Sequence, residues 1–268
     1  MHAQSLVAIS ADGLPIHYDV QGNGAIALVF VHGWCCDRRC WDRQVDAFAL
    51  SYTVVRLDLA GHGTSGQHRT QWTVPAFAHD VIAVVRQLEL EQVVLIGHSA
   101  GGAVIVEAAR YLSTAVRGVV GVDAHTWRTV EHIRTPAQVA ALLAPFRSNF
   151  VEATRTLVRS MFVPTSDPTL VERMVAAMSA APPHIGIGWL EALWGQDRNL
   201  QAGLQEITAR KIAINSCYCP TNRAAAQQYG IEVMLMGGVG HFVMLEDAHT
   251  FNHLLAEAVQ HCLPPSAP

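Results

Sequence analysis

The chain has 268 residues, half of them hydrophobic, and a formal net charge of −4. That length suits one large domain, or one domain carrying an insertion, and the mildly acidic balance without a basic block argues against a nucleic-acid partner. No apolar run reaches the roughly 18 residues of a membrane span, and the opening segment has no basic stretch leading into a long apolar one, so neither a membrane partner nor a secretory leader is expected, and a cytoplasmic location is.

Taken in chain order, residues 6–10 and 16–20 read as two strands joined at Asp12-Gly13, a hairpin signal. The continuous apolar run at 26–31 suits a strand covered on both faces, and it runs straight into His32-Gly33-Trp34. Helical spacing follows at 41–48, then a strand at 53–57. That strand ends in Asp58-Leu59-Ala60-Gly61-His62-Gly63-Thr64-Ser65, a tight glycine loop in which His62 is expected to pack. A helix is predicted over 75–88, with Pro75 in its first turn.

Residues 92–112 organise the rest. The β-branched run Val93–Ile96 breaks at Gly97-His98-Ser99-Ala100-Gly101, and a small-residue helix follows. Strand, turn and helix with Gly-x-Ser-x-Gly at the turn describe a serine projected from a strained corner. Side chains at 97 and 101 would collide with the neighbouring backbone, so glycine fits both. A further strand is predicted at 116–122, ending at Asp123.

Between 127 and 200 helical periodicity dominates, punctuated by Pro136, Pro164, Pro168, Pro182 and Pro183. This reads as a helical insertion of about four short helices, rich in Met, Phe and Trp (Trp127, Trp189, Trp194). Most of these residues are expected to form the insertion's own core, with others available to line an apolar pocket. Residues 1–126 and 201–268 then make one core unit and 127–200 the insertion. Strands at 211–215 and 232–236, a helix at 222–229 and a last helix at 246–262 complete the alternation, and the tail beyond is expected to fray.

A serine hydroxyl is a weak nucleophile at neutral pH and needs a base, which in turn needs a partner to hold its tautomer. The base should follow a late strand. His241, after Gly237-Gly238-Val239-Gly240 and before the last helix, does so; His249, His253 and His261 lie on that helix and are poor candidates. Two backbone donors should hold a developing oxyanion: the amide of Ala100, next to Ser99, and that of Trp34 in the loop after the third strand, with His32 bracing that loop. No His or Cys spacing suits a metal site, no cofactor is implied, and Cys35, Cys36, Cys40, Cys217, Cys219 and Cys262 are expected as reduced thiols.

These motifs, in this order and spacing, resemble the α/β-hydrolase superfamily: Gly33 after an apolar strand, Asp58-x-x-Gly61-x-Gly63-x-Ser65, Gly97-His98-Ser99-Ala100-Gly101 and Gly240-His241-Phe242. The resemblance implies an α/β fold with a mostly parallel, eight-stranded, doubly wound sheet, and a helical cap at 127–200. It also implies Ser99 and His241 as nucleophile and base, with oxyanion amides at Trp34 and Ala100. One departure stands out. The superfamily usually carries its acid after the seventh strand, but 211–231 contains no Asp or Glu, and Cys217 and Cys219 stand about there. Some members place the acid at the end of the sixth strand, which here is Asp123; otherwise a dyad without carboxylate remains.

The leading expectation is a serine hydrolase of carboxylic esters or lactones, working through an acyl-enzyme with Ser99, His241 and Asp123. The alternatives are a cofactor-free dioxygenase of N-heteroaromatic substrates on the same fold, with His241 as base, and a ligand-binding receptor with a vestigial site. Acyl group, alcohol and the choice between monomer and homodimer are left open.

Overall fold

The structure is a computed structural model that describes residues 6–124, 134–195 and 197–263. Trp127, the 126/127 boundary and the tail at 264–268 lie outside the described residues.

The strands are β1 (Leu6–Ile9), β2 (Pro15–Gln21), β3 (Ala27–Val31), β4 (Thr53–Leu57), β5 (Val93–His98), β6 (Val116–Val122), β7 (Arg210–Ser216) and β8 (Ile231–Met236). They form one sheet in the order β1-β2-β4-β3-β5-β6-β7-β8. β2 pairs antiparallel with both β1 and β4, and every other pairing is parallel. The sheet is therefore mostly parallel and eight-stranded, as the sequence predicts. All five residues of β3 and all six of β5 are buried, which is why these strands read as unbroken apolar runs instead of alternating ones.

Helices α1 (Asp42–Phe48), α2 (Val74–Gln87) and α3 (Gly101–Tyr111) connect the first strands. Thr73 caps α2 by accepting from the Ala76 amide at 3.3 Å, with Pro75 in the first turn. Small residues let α3 pack closely: its first nine positions, Gly101 to Ala109, are all buried.

Between β6 and β7 lie five helices among the described residues: α4 (Pro136–Ser148), α5 (Phe150–Ser160), α6 (Pro168–Ser179), α7 (Pro183–Gly195) and α8 (Asp197–Glu206). The periodicity suggested about four. Proline opens α4, α6 and α7, where its missing amide costs nothing, but Pro145 sits inside α4. Helix α8 runs across position 200 and packs on α3, with Arg110 Nε donating to Glu206 at 2.7 Å. Leu142 of α4 is exposed, whereas Val139 and Leu143 are buried.

The chain closes with α9 (Arg223–Gln228), the single turn α10 (Val243–Glu246) and α11 (Ala248–Cys262). The predicted last helix is thus split. Asp247 interrupts it by capping α11, accepting from the Thr250 amide at 3.1 Å. Among the described residues no helix is long and apolar enough to cross a membrane.

Candidate active site

Parallel strands deliver their following loops to one edge of a sheet, the place where open α/β folds bind ligands. Here the ends of β3, β5, β6 and β7 and the loop after β8 meet the insertion around a cavity of about 400 Å³. Its wall includes Trp34, Ser99, Ala100, Asp123 and His241. All five residues singled out from the sequence therefore border one space.

Ser99 occupies the turn after β5 with φ 53°, a left-handed conformation that is uncommon outside glycine and that turns the side chain away from the strand. The flanking glycines have the predicted steric cause. A Cβ on Gly97 would stand 2.5 Å from the Gly101 carbonyl oxygen, and one on Gly101 would stand 2.6 Å from that of His32. The Ser99 amide donates to the Val122 carbonyl at 2.9 Å, tying the corner to β6. Ala100 leads into α3, and the first-turn amides of Gly102 and Ala103 donate back to the carbonyls of Ser99 at 3.0 Å and Ala100 at 3.2 Å.

Asp123 follows β6 with φ 43°, a second left-handed residue at the same edge. One carboxylate oxygen, Oδ2, lies 2.6 Å from His241 Nδ1, and the pair is almost fully buried. The other oxygen, Oδ1, accepts the Ser216 amide at 2.7 Å. Because a carboxylate only accepts, the shared proton sits on Nδ1, which leaves Nε2 as the imidazole's basic nitrogen. β7, the neighbour of β6, ends in Ser216. Its hydroxyl donates to the Val239 carbonyl at 2.6 Å and accepts the Tyr218 amide at 2.9 Å, bridging to the loop that carries His241. His98 Nε2 donates to the His241 carbonyl at 3.0 Å, and the two rings lie 4.7 Å apart.

The sequence did not single out Ser216 or the side chain of His98. The absence of a carboxylate in 211–231 was the one signal pointing to that segment. Nor did it pick out which insertion residues line the cavity: Leu157, Ser160, Met161, Leu190, Leu193 and Trp194 do. Trp189 instead is fully buried against Phe77 and His62, packed onto the core unit and not within the insertion's own core. Cys219 borders the cavity and Cys217 is exposed; all six cysteines are free thiols.

Two histidines near the edge brace loops. His32 Nδ1 donates to the Gly33 carbonyl at 2.8 Å, so Nε2 accepts the Leu59 amide at 3.0 Å. Burial lowers its pKa and keeps it neutral. His62 bonds the Ala60 carbonyl at 2.9 Å, and burial, with His32 beside it, pushes its pKa down to about 3. Asp58 closes its own loop by accepting the amides of Arg38 at 2.8 Å and Thr64 at 2.9 Å. In the Trp34 loop the indole donates to the Gly186 carbonyl of α7 at 2.8 Å, and Cys35, with φ 54°, makes the bend that follows. Among the described residues no group of three or more His, Cys, Asp or Glu could hold a metal ion.

Comparison with known proteins adds a family. The sequence matches the one described as the alpha/beta hydrolase family over residues 28–254. A dihydrolipoyllysine-residue acetyltransferase component of an acetoin cleaving system from Cupriavidus necator is 28% identical over 256 residues, which is 91% of this chain and 66% of that protein. A non-heme chloroperoxidase from Streptomyces lividans is 40% identical over 114 residues, 41% of this chain and 40% of its own length. The chain thus spans less than two thirds of these relatives. Among solved structures, an esterase from Exiguobacterium antarcticum superposes with a TM-score of 0.84 at 20% identity, covering 96% of this chain and all of that one; the likeness is one of fold.

Proposed function

This chain belongs to the alpha/beta hydrolase family, and from that premise we propose that it is a serine hydrolase cleaving carboxylic esters or lactones through an acyl-enzyme. The observation that carries the reading is the buried contact at 2.6 Å between Asp123 Oδ2 and His241 Nδ1, on the wall of the cavity that Ser99 also borders.

In this reading the Ser99 hydroxyl attacks the substrate carbonyl as His241 Nε2 takes its proton. Asp123 stays ionised, holds the Nδ1–H tautomer and stabilises the imidazolium that forms. The amides of Trp34 and Ala100 receive the oxyanion, where preorganised donors favour the developing charge. His241 returns the proton to the departing alkoxide, and the alcohol leaves. Water, deprotonated by the same nitrogen, then releases the acid and restores Ser99. The chemistry calls for no cofactor.

Leu157, Met161, Leu190, Leu193 and Trp194 offer an apolar surface to the acyl or alcohol part. The insertion then works as a cap that sets substrate preference. Two alternatives, an oxygen-consuming reaction on an N-heteroaromatic substrate and a non-catalytic receptor, use the same cavity without acylating Ser99.

The test is Ser99→Ala, assayed on short-chain p-nitrophenyl esters with circular dichroism to verify folding. Turnover is expected to fall by about a million-fold in kcat, the scale seen when a triad nucleophile is removed. Unchanged turnover would remove Ser99 from the mechanism. Oxygen uptake with a hydroxyquinolone in place of ester turnover would favour the dioxygenase reading.

A further inference from the structure

The backbone around His241 is gripped residue by residue. The Gly240 amide donates to both carboxylate oxygens of Glu246 at 3.0 Å, and the Phe242 amide donates to Glu246 Oε1 at 3.2 Å. The His241 amide between them donates to the Met161 carbonyl at 2.7 Å. Met161 is the C-cap residue that follows α5, so this bond comes from the insertion. The insertion reaches the same carboxylate a second time, through the Ser166 hydroxyl, which donates to Glu246 Oε2 at 2.5 Å. That hydroxyl also accepts the Val163 amide at 3.1 Å, which fixes it within its own turn. The fit is close: a side chain on Gly240 would run into the Met161 carbonyl.

We propose that Glu246 is a positioning residue for His241 and that Ser166 couples it to the insertion, so that the base is in register only while the 161–166 segment is seated. This rests on the reading of Ser99 and His241 as nucleophile and base. Glu246 turns its two oxygens towards two amides and a hydroxyl, all donors. Only a carboxylate answers donors on both oxygens at once, and such charge-assisted bonds are stronger than neutral ones. A glutamine there would aim an N–H at an N–H. The consequence for chemistry is steep, because a displacement of about 1 Å costs roughly 100-fold in rate. The 161–166 segment of the insertion and the base-bearing loop thus form one hydrogen-bonded unit, linked across some eighty residues of sequence, 166 to 246.

The experiment compares the full-length chain with Glu246→Gln, Ser166→Ala and the double variant. It measures kcat and KM on a p-nitrophenyl ester, the melting temperature, and the downfield proton resonance of the Asp123–His241 pair. Glu246→Gln is expected to lower kcat about 10- to 100-fold with KM changed by less than about threefold. It also shifts or broadens the resonance. Ser166→Ala is expected to lower kcat by a smaller factor, about threefold to tenfold, and the double variant to match Glu246→Gln alone, because the hydroxyl acts through the carboxylate. A lowered melting temperature with wild-type kcat and an unmoved resonance would overturn the proposal and leave Glu246 a structural tie. If Glu246→Gln does not fold, Ser166→Ala decides alone: an unchanged kcat and resonance would overturn it. The resonance reports on the pair even if the wild-type chain turns over no ester, so failure of the hydrolase reading and failure of this one are told apart.

Discussion

β6 and β7 lie side by side in parallel, Val122 against Ile214, and end at the same edge of the sheet, yet their ends deliver different groups. β6 ends in the Asp123 carboxylate on left-handed backbone; β7 ends in Ser216, which offers an amide to that carboxylate and a hydroxyl to the Val239 carbonyl. The two strand ends divide between them what one loop could do alone, contacting Nδ1 and fixing the carboxylate that contacts it. Adjacent strands are only about 4.8 Å apart, a gap a short side chain spans. What matters for a histidine partner is whether an oxygen reaches Nδ1, not which of two neighbouring strands carries it. The vacated position is then free to brace its neighbour.

Asp123→Asn is the sharpest way to break this division. With geometry kept but the tautomer wrong, kcat on p-nitrophenyl esters is expected to fall about 10⁴-fold, as in the triad template. A loss below about tenfold, with larger losses from substitutions at 217–222, would show that Asp123 is not the acid on which His241 depends.

Ser216→Ala probes the bracing half. It strands the buried Val239 carbonyl and the Tyr218 amide, each having lost its hydroxyl partner. Unfolding in denaturant should show a stability loss of about 1–3 kcal/mol. Unchanged stability would mean that the β7 end contributes only its backbone.

A third strand end gives a pH signature. His62, after β4, is sealed and neutral, its pKa held down to about 3 by burial. Its unfolded counterpart binds a proton near pH 6.5, so the unfolded state holds more protons between these values. The stabilisation is complete above about pH 6.5 and is lost as pH falls towards 3, with a slope of at most about 1.4 kcal/mol per pH unit from this residue. Denaturant melts from pH 7 to 4 check it. His62→Phe should flatten the slope, and an identical slope in the variant would show that His62 is not the titrating group.

The sequence carried the sheet and the corner because both are written locally. β4 and β6 end where alternation and apolar runs predict, at Leu57 and Val122, and the glycines at 97 and 101 are explained by backbone that a Cβ would strike. Asp123 was legible through an absence, since no carboxylate stands in 211–231. The insertion was harder. Its periodicity could not separate the buried Leu143 from the exposed Leu142, nor the core residue Trp189 from the cavity residue Trp194. Ser166 and Glu246, or His98 and the His241 carbonyl, meet only after folding, and nothing in a window of neighbouring residues announces such pairs.

The most direct measurement is the rate at which a fluorophosphonate labels the chain, followed by intact-protein mass spectrometry and peptide mapping in the wild type and in Asp123→Asn. A single adduct on Ser99, forming about 10⁴-fold more slowly in the variant, is the predicted result. Labelling of Ser99 at equal rates in both proteins, or an adduct on another residue, would contradict the assignment of Asp123 and His241 as the pair that activates this serine.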